Sequence, residues 1–412
     1  MSDFEPYSAM RLTYVARSFL DYRVPVFAHL NELLEGRLSV VYSKKWTPER
    51  VQERLADAIG HRAIGLTGEK RLGDDGRAGF ANASFCVPYQ PGLFRAIRNT
   101  NPDILAADGF FRWTPAAIAY RIRHSTPLVM CYERTMHTER NAQRVRTIYR
   151  KMAARWFDAV CCSGKLSVEY MRWIGYPPQR INIGHQAADT ADLQNRVDEV
   201  PASHIESLQS ELNAGGTIYL CVARLIPLKG IRELLVAWNR FRSQQANKAT
   251  LLFVGGGPER DALETVAADS GLDDVRFAGE IDYREIAPYF ALANVLVMPT
   301  LEDNWSLVVP EAMACGLPIL CSRYNGCWPE LVIENQNGWV FDPLDPHNTS
   351  AALASVAHAA NDGTLASMGQ RSREIVAEHT PEHAARAILD ACAIAARHRG
   401  KIFAEGETAA VR

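Results

Sequence analysis

Short runs of apolar residues alternate with helical patterns along most of the chain. In the first half, candidate strands occupy residues 11–16, 38–42, 104–106, 128–131 and 159–162, with helical periodicity between them, as at 26–34 and 140–156. A second series of apolar runs occupies residues 218–222, 251–254, 275–277, 295–298, 318–321 and 338–340. Strands that alternate with helices in this way predict parallel sheets covered by helices on both faces. The predicted fold class is α/β, with two doubly wound, Rossmann-like domains in tandem.

The strand pattern lapses between residues 183 and 215, where polar residues accumulate, and this predicts a linker followed by a surface helix. We therefore place an N-terminal domain at residues 1–195 and a C-terminal domain at 196–380. Residues 381–412 begin with an Ala-rich amphipathic helix that could cross back onto the first domain, and they end in a polar tail expected to be frayed. Because each sheet presents its strand C-termini to ligands, a crevice between the two sheets is the expected ligand site.

Composition narrows the class of protein. The 412 residues suit two domains, and 47% hydrophobic with 22% charged residues is typical of soluble globular proteins. A net charge of −2 gives no support for a nucleic-acid partner. The nine cysteines include no CxxC pair, which favours reduced thiols over disulfides or zinc. The N-terminus does not resemble a signal peptide, and no apolar stretch approaches the ~20 residues that span a bilayer, so we expect a cytoplasmic protein.

The segment 302–316, EDNWSLVVPEAMACG, is the strongest functional signal in the chain. It directly follows a candidate strand, at the position where open α/β sheets present ligand-binding loops. A helix that begins near residues 306–309 would point unpaired backbone N–H groups at an anion. Asp303 and Glu311 would then lie near the same opening, where carboxylates suit sugar hydroxyls and N–H groups suit phosphate.

Two cations and a glycine turn are predicted at the same edge of the second sheet. Arg224 and Lys229 follow its first strand and can both reach one diphosphate, although a solvated loop is the alternative. Residues 255–258, GGGP, join a strand to a helix start. This turn would let a ligand approach the backbone, or it is merely a tight loop.

These elements together resemble the donor half of retaining GT-B glycosyltransferases of family 4. The resemblance covers roughly residues 215–343 and is carried by Arg224-x4-Lys229, the GGGP turn, Phe277-Ala278-Gly279 and Asp303-x7-Glu311 followed by AMACGLP. It implies a GT-B fold with two Rossmann-like domains facing a central cleft. It also implies that the C-terminal domain holds a nucleotide-diphosphate sugar.

The resemblance implies a role for each residue of the donor site. Arg224 and Lys229 would neutralise the diphosphate and stabilise the leaving group, and Glu311 would hold the ribose hydroxyls. Asp303, Asn304 and Trp305 would face the sugar, and Ser306, Leu307 and Val308 would offer backbone N–H groups to phosphate. Ile281 would lie beside the base, and Gly256 would contact the donor from the glycine turn. Arg224, Lys229 and Asp303 are the predicted catalytic residues of this half.

Two positions depart from the family pattern. The family usually has Glu at the position of Asp303 and often Gly at the position of Ser306. Because Asp is one methylene shorter, the sugar contacts must shift or be shared with Glu302. The base, the donor sugar and the acceptor therefore stay open, and a UDP-sugar is the preferred donor.

The implied chemistry needs no metal or further cofactor. Breaking an anomeric C–O bond requires charge stabilisation on the departing diphosphate, and two preorganised cations supply it. No Asp-x-Asp pair or His cluster indicates a catalytic divalent ion. We therefore predict a metal-independent, retaining, hexosyltransferase-type enzyme of cell-surface glycan or glycolipid assembly. The alternatives are a nucleotide-sugar epimerase or a phosphorylase on the same scaffold, or a non-catalytic sugar-nucleotide binding protein.

The first domain carries weaker signals. His137, in the loop after strand 128–131, is predicted to contact the donor or acceptor as a catalytic residue, with Glu133 as the second choice; a structural His is the alternative. Tyr22 and Arg23 join the first strand to the first helix. They could bind the acceptor or the diphosphate, or they could simply cap and staple the helix.

A local excess of positive charge distinguishes residues 112–155, which hold nine Arg and one Lys against Glu133 and Glu139. On a helix, one stripe would consist of Arg140, Arg144, Lys151 and Arg155, and an inner face would consist of Val145, Ile148 and Met152. The stripe is either a solvated face or a surface for anionic lipid headgroups or a phosphate-bearing acceptor, for which Arg140 and Arg144 are candidates. No aromatic stacking pattern supports nucleic acid. We predict a saccharide or lipid-linked acceptor, with peripheral association at the inner membrane face as a further hypothesis.

Overall fold

The computed structural model describes residues 9–72, 87–245 and 247–400. The chain divides into two compact units. Unit 1 consists of residues up to 187 together with those from 381 onward, and unit 2 of residues 188–380. The boundary predicted from the sequence lies slightly later, at residue 195, inside a helix that spans Ala191–Asp198. That helix belongs to unit 2 because its apolar residues Leu193 and Val197 are buried in the core of that unit.

Unit 1 is built on a parallel sheet of seven strands. The strands of the described part of unit 1, two of which lie outside this sheet, are in chain order β1 (Leu12–Ala16), β2 (Leu38–Ser43), β3 (Ala63–Leu66), β4 (Lys70–Leu72), β5 (Val87–Tyr89), β6 (Ile104–Asp108), β7 (Leu128–Tyr132), β8 (Ala159–Cys162) and β9 (Ile181–Ile183). The spatial order is β3-β2-β1-β6-β7-β8-β9, and β4 and β5 form a separate antiparallel pair. The order reverses between β1 and β6, so the topological switch point, where such sheets bind ligands, lies there.

The helices of unit 1 cover both faces of this sheet. They are α1 (Arg23–Leu33), α2 (Glu49–Ile59), α3 (Leu93–Asn99), α4 (Thr114–His124), α5 (Arg144–Ala153) and α6 (Lys165–Trp173), with 3-10 turns at Gly60–Arg62, Ala154–Trp156 and Pro178–Arg180. Successive residues of β1 show the two-sided burial, because Tyr14 packs in one apolar cluster and Val15 in another. Such near-continuous apolar strands are expected when a parallel sheet is covered on both faces.

Unit 2 repeats the architecture with six parallel strands. They are β10 (Thr217–Val222), β11 (Ala249–Val254), β12 (Val275–Gly279), β13 (Val295–Met298), β14 (Ile319–Ser322) and β15 (Gly338–Phe341), in the order β12-β11-β10-β13-β14-β15. The helices are α7 (Ala191–Asp198), α8 (Ala202–Glu211), α9 (Ile231–Arg242), α10 (Arg260–Asp269), α11 (Ala287–Leu292), α12 (Val308–Ala314), α13 (Trp328–Leu331), α14 (Pro346–Asn361) and α15 (Leu365–Val376). The switch point of this sheet lies between β10 and β13. Two doubly wound Rossmann-like units are confirmed.

The last helix, α16 (Pro381–His398), belongs to unit 1 and packs against α1, β7, β8 and β9. Its buried face is largely alanine, which lets the helix backbone approach the sheet closely. The carbonyl of Ala387 accepts hydrogen bonds from the Asn182 amide at 2.7 Å and from the Cys161 thiol at 3.5 Å. Nearly all of the predicted frayed tail, residues 401–412, lies outside the described residues.

Several elements differ from the sequence prediction. Strands β3, β4, β5 and β9 were not among the predicted strands. The segment between residues 183 and 215 contains two helices, α7 and α8, instead of one. Within the described part of the chain, no helix is both long and apolar enough to cross a membrane. The eight cysteines of that part are free and buried, whereas Cys86 lies outside it.

Candidate functional site

The strand order of unit 2 brings the predicted donor residues to one edge of its sheet. Because all six strands are parallel, their C-terminal ends and the loops that follow them share this edge. Arg224 and Lys229 follow β10, Gly256 follows β11, Ile281 follows β12 and Asp303 follows β13. Loops of four neighbouring strands therefore converge around the switch point.

The loops after β10 and β13 are locked to each other. The carbonyl of Leu228 accepts hydrogen bonds from the Thr300 hydroxyl at 3.0 Å and from the Leu301 N–H at 2.9 Å. Gly230 adopts a left-handed backbone with φ +66°, and a Cβ there would lie 2.1 Å from the carbonyl oxygen of Pro299. Only glycine fits this approach. The register of the two loops is thus fixed, and it positions Lys229 against Asp303.

Asp303 is hydrogen-bonded through both carboxylate oxygens. Its Oδ2 accepts from the Lys229 ammonium at 2.5 Å and from the Ser306 hydroxyl at 2.7 Å, and its Oδ1 accepts from the Trp305 N–H at 3.1 Å. The two residues that depart from the family pattern, Asp303 and Ser306, are therefore in direct contact. A hydroxyl at position 306 supplies a partner for the shorter carboxylate, which a glycine could not do.

The backbone N–H groups at the start of α12 differ in availability. The Ser306 N–H donates to the Asn325 side chain at 3.3 Å, so this group already has an acceptor. The N–H groups of Leu307 and Val308 have no hydrogen-bond partner among the described residues. Two of the three N–H groups predicted for phosphate are consequently free to donate.

Asn325 organises this loop and carries no signal in the motif. It is fully buried, and its Oδ1 also accepts from the N–H and thiol groups of Cys327, at 3.3 and 3.1 Å. A Cβ on the adjacent Gly326 would lie 1.7 Å from the carbonyl oxygen of Asn304, so the turn after β14 presses directly against the candidate sugar-binding loop. The Asn-Gly dipeptide was the available signal, since such pairs mark tight turns.

Arg224 stands apart from this network. Its side chain is exposed and forms no hydrogen bond or ion pair with any residue that the structure describes. The adjacent Lys229 already faces the carboxylate of Asp303. An uncompensated guanidinium on the same loop as a paired ammonium is suited to receive an anion with more than one negative charge.

The glycine turn packs closely on the loop that carries Arg224. The Leu225 N–H donates to the Gly256 carbonyl at 2.9 Å. A Cβ on Gly255 or Gly257 would come within 2.0 Å of the Ala223 oxygen or 2.4 Å of the Leu225 oxygen. Close packing between the two loops therefore accounts for Gly255 and Gly257, as expected if the turn is simply a tight loop. A nucleotide contact at Gly256 stays a prediction.

Glu311 interacts with two residues that the motif does not include, Tyr283 and Arg196. Burial raises the pKa of Glu311 to about 7, although a hydrogen bond with Tyr283 and the charge of Arg196 act in the opposite direction. The Arg196 guanidinium lies 5.2 Å from the centre of the Tyr283 ring and donates to the Tyr283 carbonyl at 3.0 Å. Tyr283 and Arg196 thus form part of the candidate ribose site. Arg196 was missed because it comes from α7, outside the recognised donor segment.

We expect Glu311→Gln to stabilise the protein near pH 8.5 and to leave it almost unchanged near pH 4. The folded-state pKa, about 7, exceeds the ordinary 4.5, so the stability that protonated Glu311 contributes is present below pH 4.5 and declines as pH rises toward 7. The shift corresponds to at most about 3 kcal/mol, and partial exposure reduces the expected effect to about 1–2 kcal/mol.

Urea unfolding at both pH values measures the effect, with the exposed Glu206→Gln on α8 as the matched control. Equal stability changes at the two pH values would contradict the raised pKa.

Unit 1 contains a cavity of about 200 Å³ at the C-terminal ends of β1, β6 and β7, next to the switch point. Of the predicted acceptor residues, Tyr22, Arg23 and Glu133 line it, whereas Arg140 and Arg144 do not. His137, predicted as a catalytic residue, does not line it either. The structure adds Asp108, Arg112, Arg134, His185 and Gln186 to the lining. These residues lie at or after the ends of different strands, so no local sequence motif contains them.

Arg23 has a structural role at the floor of this cavity. It is buried and donates to the Tyr14 hydroxyl at 2.5 Å and to the His185 carbonyl at 2.7 Å, and it lies 3.6 Å from Asp108. Burial, together with the charge of Arg23, lowers the pKa of His185 to about 3, so this imidazole is neutral at physiological pH. The Tyr22 side chain makes no capping hydrogen bond to α1. Burial raises the pKa of its hydroxyl, which interacts with the Gln186 side chain.

The prediction that Val145, Ile148 and Met152 face inward is wrong. These side chains are 71%, 58% and 54% exposed on α5, which is shorter than predicted. The buried residues of the helix are Arg150 and Ala153, and the Arg150 guanidinium pairs with Glu139 at 2.6 Å. This buried ion pair turns the apolar stripe toward solvent. Arg140 precedes the helix and Arg155 lies in the following 3-10 turn.

Two family models match the chain. Residues 70–192 match Glycosyltransferase Family 4, and residues 204–375 match Glycosyl transferases group 1.

No group of three or more His, Cys, Asp or Glu side chains that could hold a metal ion occurs among the residues described by the structure.

Relatives of known function match part of the chain. A GDP-mannose-dependent alpha-(1-6)-phosphatidylinositol monomannoside mannosyltransferase of Mycolicibacterium smegmatis is 31% identical over 164 residues, which are 38% of this chain and 42% of that protein. A D-inositol 3-phosphate glycosyltransferase of Corynebacterium kroppenstedtii is 26% identical over 220 residues, which are 52% of this chain and 48% of that protein. The aligned segments thus span at most about half of these relatives.

Solved structures match nearly the whole chain. Anabaena Alr3699/HepE in complex with UDP superposes with a TM-score of 0.71 over 93% of this chain and 100% of that chain, at 16% identity. The OtsA apo structure superposes with a TM-score of 0.65 over 92% and 98%, at 12% identity. At these identities the matches show the fold alone, and with the two parallel sheets they confirm the predicted GT-B class.

Proposed function

We propose that this chain, whose two units carry the Glycosyltransferase Family 4 and Glycosyl transferases group 1 domains on a GT-B fold, is a glycosyltransferase. It moves a sugar from a nucleotide-diphosphate sugar to a saccharide or lipid-linked acceptor. The observation that supports this most directly is the pair of cations at the switch point of unit 2. Lys229 is held by Asp303, and Arg224 is exposed on the same loop without a partner among the described residues.

The proposed mechanism places the departing diphosphate between Arg224 and Lys229. Arg224 presents a planar fork and Lys229 a point charge, and the N–H groups of Leu307 and Val308 add two neutral donors. Asp303 holds Lys229 in place before the donor arrives, so little reorganisation is needed as negative charge develops on the leaving oxygen. We further propose that transfer retains the anomeric configuration and needs no metal.

The donor nucleotide is proposed to be UDP. The Anabaena neighbour contains UDP, while the mycobacterial relative is named for GDP-mannose, so a test panel must contain sugars of both nucleotides. Release of nucleoside diphosphate from that panel, followed in the presence and absence of a chelator, tests the proposed activity. An epimerase would interconvert donor sugars without releasing the nucleotide.

The exposed face of α5 supports peripheral association with an anionic membrane at the cytoplasmic side. Val145, Ile148 and Met152 are exposed on the same helix as the exposed basic residues Arg144 and Lys151. Trp173 is 50% exposed, and its ring lies 4.9 Å from the Lys151 ammonium. Apolar side chains flanked by cations and tryptophan are typical of surfaces that bind anionic headgroups and insert shallowly.

We expect the protein to co-sediment with liposomes that contain anionic lipid and not with neutral liposomes. Ile148→Asp should reduce the bound fraction by at least about fivefold, because a carboxylate on this face opposes both insertion and charge attraction. The matched control is Val236→Asp on α9 of unit 2, where Val236 is 52% exposed. Equal loss of binding in both variants would contradict a specific role for α5.

A further inference from the structure

We propose that the cavity of unit 1 binds a polyol ring that carries a phosphate group and is the acceptor of the reaction. This inference rests on the proposed glycosyl transfer and specifies its second substrate. The cavity volume of about 200 Å³ is smaller than the roughly 300–1,000 Å³ of pockets for drug-sized ligands. It therefore suits a single ring inside the cavity.

Gln186 supplies an unpaired hydrogen-bond acceptor inside this cavity. Its side chain is buried, with only 7% of the residue exposed, and its amide nitrogen donates to Glu133 at 2.9 Å. The amide oxygen of Gln186 is buried and has no donor among the residues that the structure describes. A buried carbonyl without a partner costs about 1–3 kcal/mol, so this oxygen favours a ligand that brings a hydroxyl group.

Carboxyl groups around Gln186 extend the same preference. Asp108 accepts from the Tyr14 hydroxyl at 2.6 Å through Oδ1 only, and its side chain is 38% exposed at the cavity. Glu133 accepts the hydrogen bond of the Gln186 amide nitrogen and also lines the cavity. The buried His185 is already engaged, because its two ring nitrogens face the Tyr132 carbonyl and Arg23. The cavity floor thus offers acceptors to several hydroxyls, as a polyol requires.

Arg112 supplies the positive charge for the phosphate group. Its guanidinium lines the cavity and makes no hydrogen bond or ion pair within the described residues. The neighbouring cations are compensated, since Arg17 pairs with Glu69 at 2.7 Å and Arg134 with Glu139 at 3.2 Å. An arginine left unpaired beside other cations is suited to bind a phosphate through two parallel hydrogen bonds.

The backbone at Arg112 is also unusual. Its φ is +63°, in the left-handed region that non-glycine residues rarely adopt. Such conformations cost of order 1–3 kcal/mol and cluster at ligand-binding positions. Arg112, which has this left-handed backbone, is one of the residues that line the cavity.

Calorimetric titration of the full chain with matched pairs of probes tests this assignment. The pairs are glucose with glucose 6-phosphate and myo-inositol with myo-inositol 1-phosphate. At least one phosphate ester should bind about tenfold or more tightly than its neutral parent. Arg112→Gln should abolish that difference without changing the affinity for the parent, and Gln186→Met should weaken both members of the pair. The matched control is Arg123→Gln, an exposed cation on α4 of the same unit.

Three results would overturn the assignment. Equal affinity for phosphate esters and neutral parents is the first, and a preference that survives in Arg112→Gln is the second. The third is weaker binding of a nucleotide-sugar by Arg112→Gln in the absence of acceptor, which would assign the anion to the donor. If Arg112→Gln does not fold, Gln186→Met still tests the polyol contact, and Arg112→Lys should keep part of the phosphate preference.

Vesicles of phosphatidylinositol distinguish a lipid-linked polyol phosphate from a free one. Saturable, Arg112-dependent binding of either soluble inositol 1-phosphate or the vesicles supports a polyol phosphate as the ligand. If neither of these binds and glucose 6-phosphate does not bind either, the assignment is overturned. Failure of the proposed function gives a different result, because no nucleotide-sugar would then bind to the wild-type chain. A chain that binds and cleaves a nucleotide-sugar but ignores polyol phosphates would refute only the acceptor assignment.

Discussion

Replacing Arg224 with Ala should lower kcat/KM for glycosyl transfer by about 10²–10³-fold while leaving the melting temperature nearly unchanged. Loss of one preorganised charge that stabilises the leaving group costs about 3–4 kcal/mol in the transition state. The folded protein should not suffer, because the exposed guanidinium has no partner in the described structure to lose. Steady-state kinetics and thermal unfolding measure the two effects.

Arg232→Ala provides the matched control, since Arg232 is an exposed cation on α9 of the same unit. It should preserve both activity and stability. Nucleotide binding by the Arg224 variant separates catalysis from mere recognition. If binding of the nucleotide-sugar falls as much as turnover, the protein is better described as a sugar-nucleotide binding protein.

Lys229→Met should lower kcat/KM by a similar factor and should also destabilise unit 2 by about 1–2 kcal/mol. The substitution leaves the partly buried Asp303 with the Ser306 hydroxyl and the Trp305 N–H as its remaining partners. Breaking such a pair costs more than removing an exposed ion pair, but less than stranding a fully buried charge. Kinetics and urea unfolding distinguish this variant from Arg224→Ala.

A second substitution identifies the source of the instability. In Lys229→Met/Asp303→Asn the uncompensated carboxylate is gone, so most of the lost stability should return while activity stays low. Unchanged unfolding in Lys229→Met would show that the ion pair does not hold the two loops together. Recovery of activity in the double variant would contradict a role for Lys229 at the diphosphate.

The sequence predicted the elements that place the donor site because their patterns are local. Strands β10, β11 and β13 are apolar runs, and in a parallel sheet their following loops must share one edge. Arg224, Lys229 and Asp303 could therefore be assigned to one place without a structure. Contact between Asp303 and Ser306 could not be predicted, since it depends on the conformation of the loop.

Other features depended on contacts between distant parts of the chain. Asn325, Tyr283 and Gln186 lie in loops without a recognised motif, and their partners come from other elements. The orientation of α5 was predicted incorrectly for a different reason. Periodicity assumes that the apolar face turns inward, but the buried pair of Arg150 with Glu139 determines the orientation of this helix.

The most direct test of the proposed function is the anomeric configuration of the transferred sugar, followed by NMR during turnover with EDTA present. UDP- and GDP-sugars serve as donors, and polyol phosphates and saccharides serve as acceptors. We expect nucleoside diphosphate release at an unchanged rate in EDTA, with an α-linked donor giving an α-linked product. An inverted product, or activity that disappears with EDTA and returns with a divalent ion, would contradict the account.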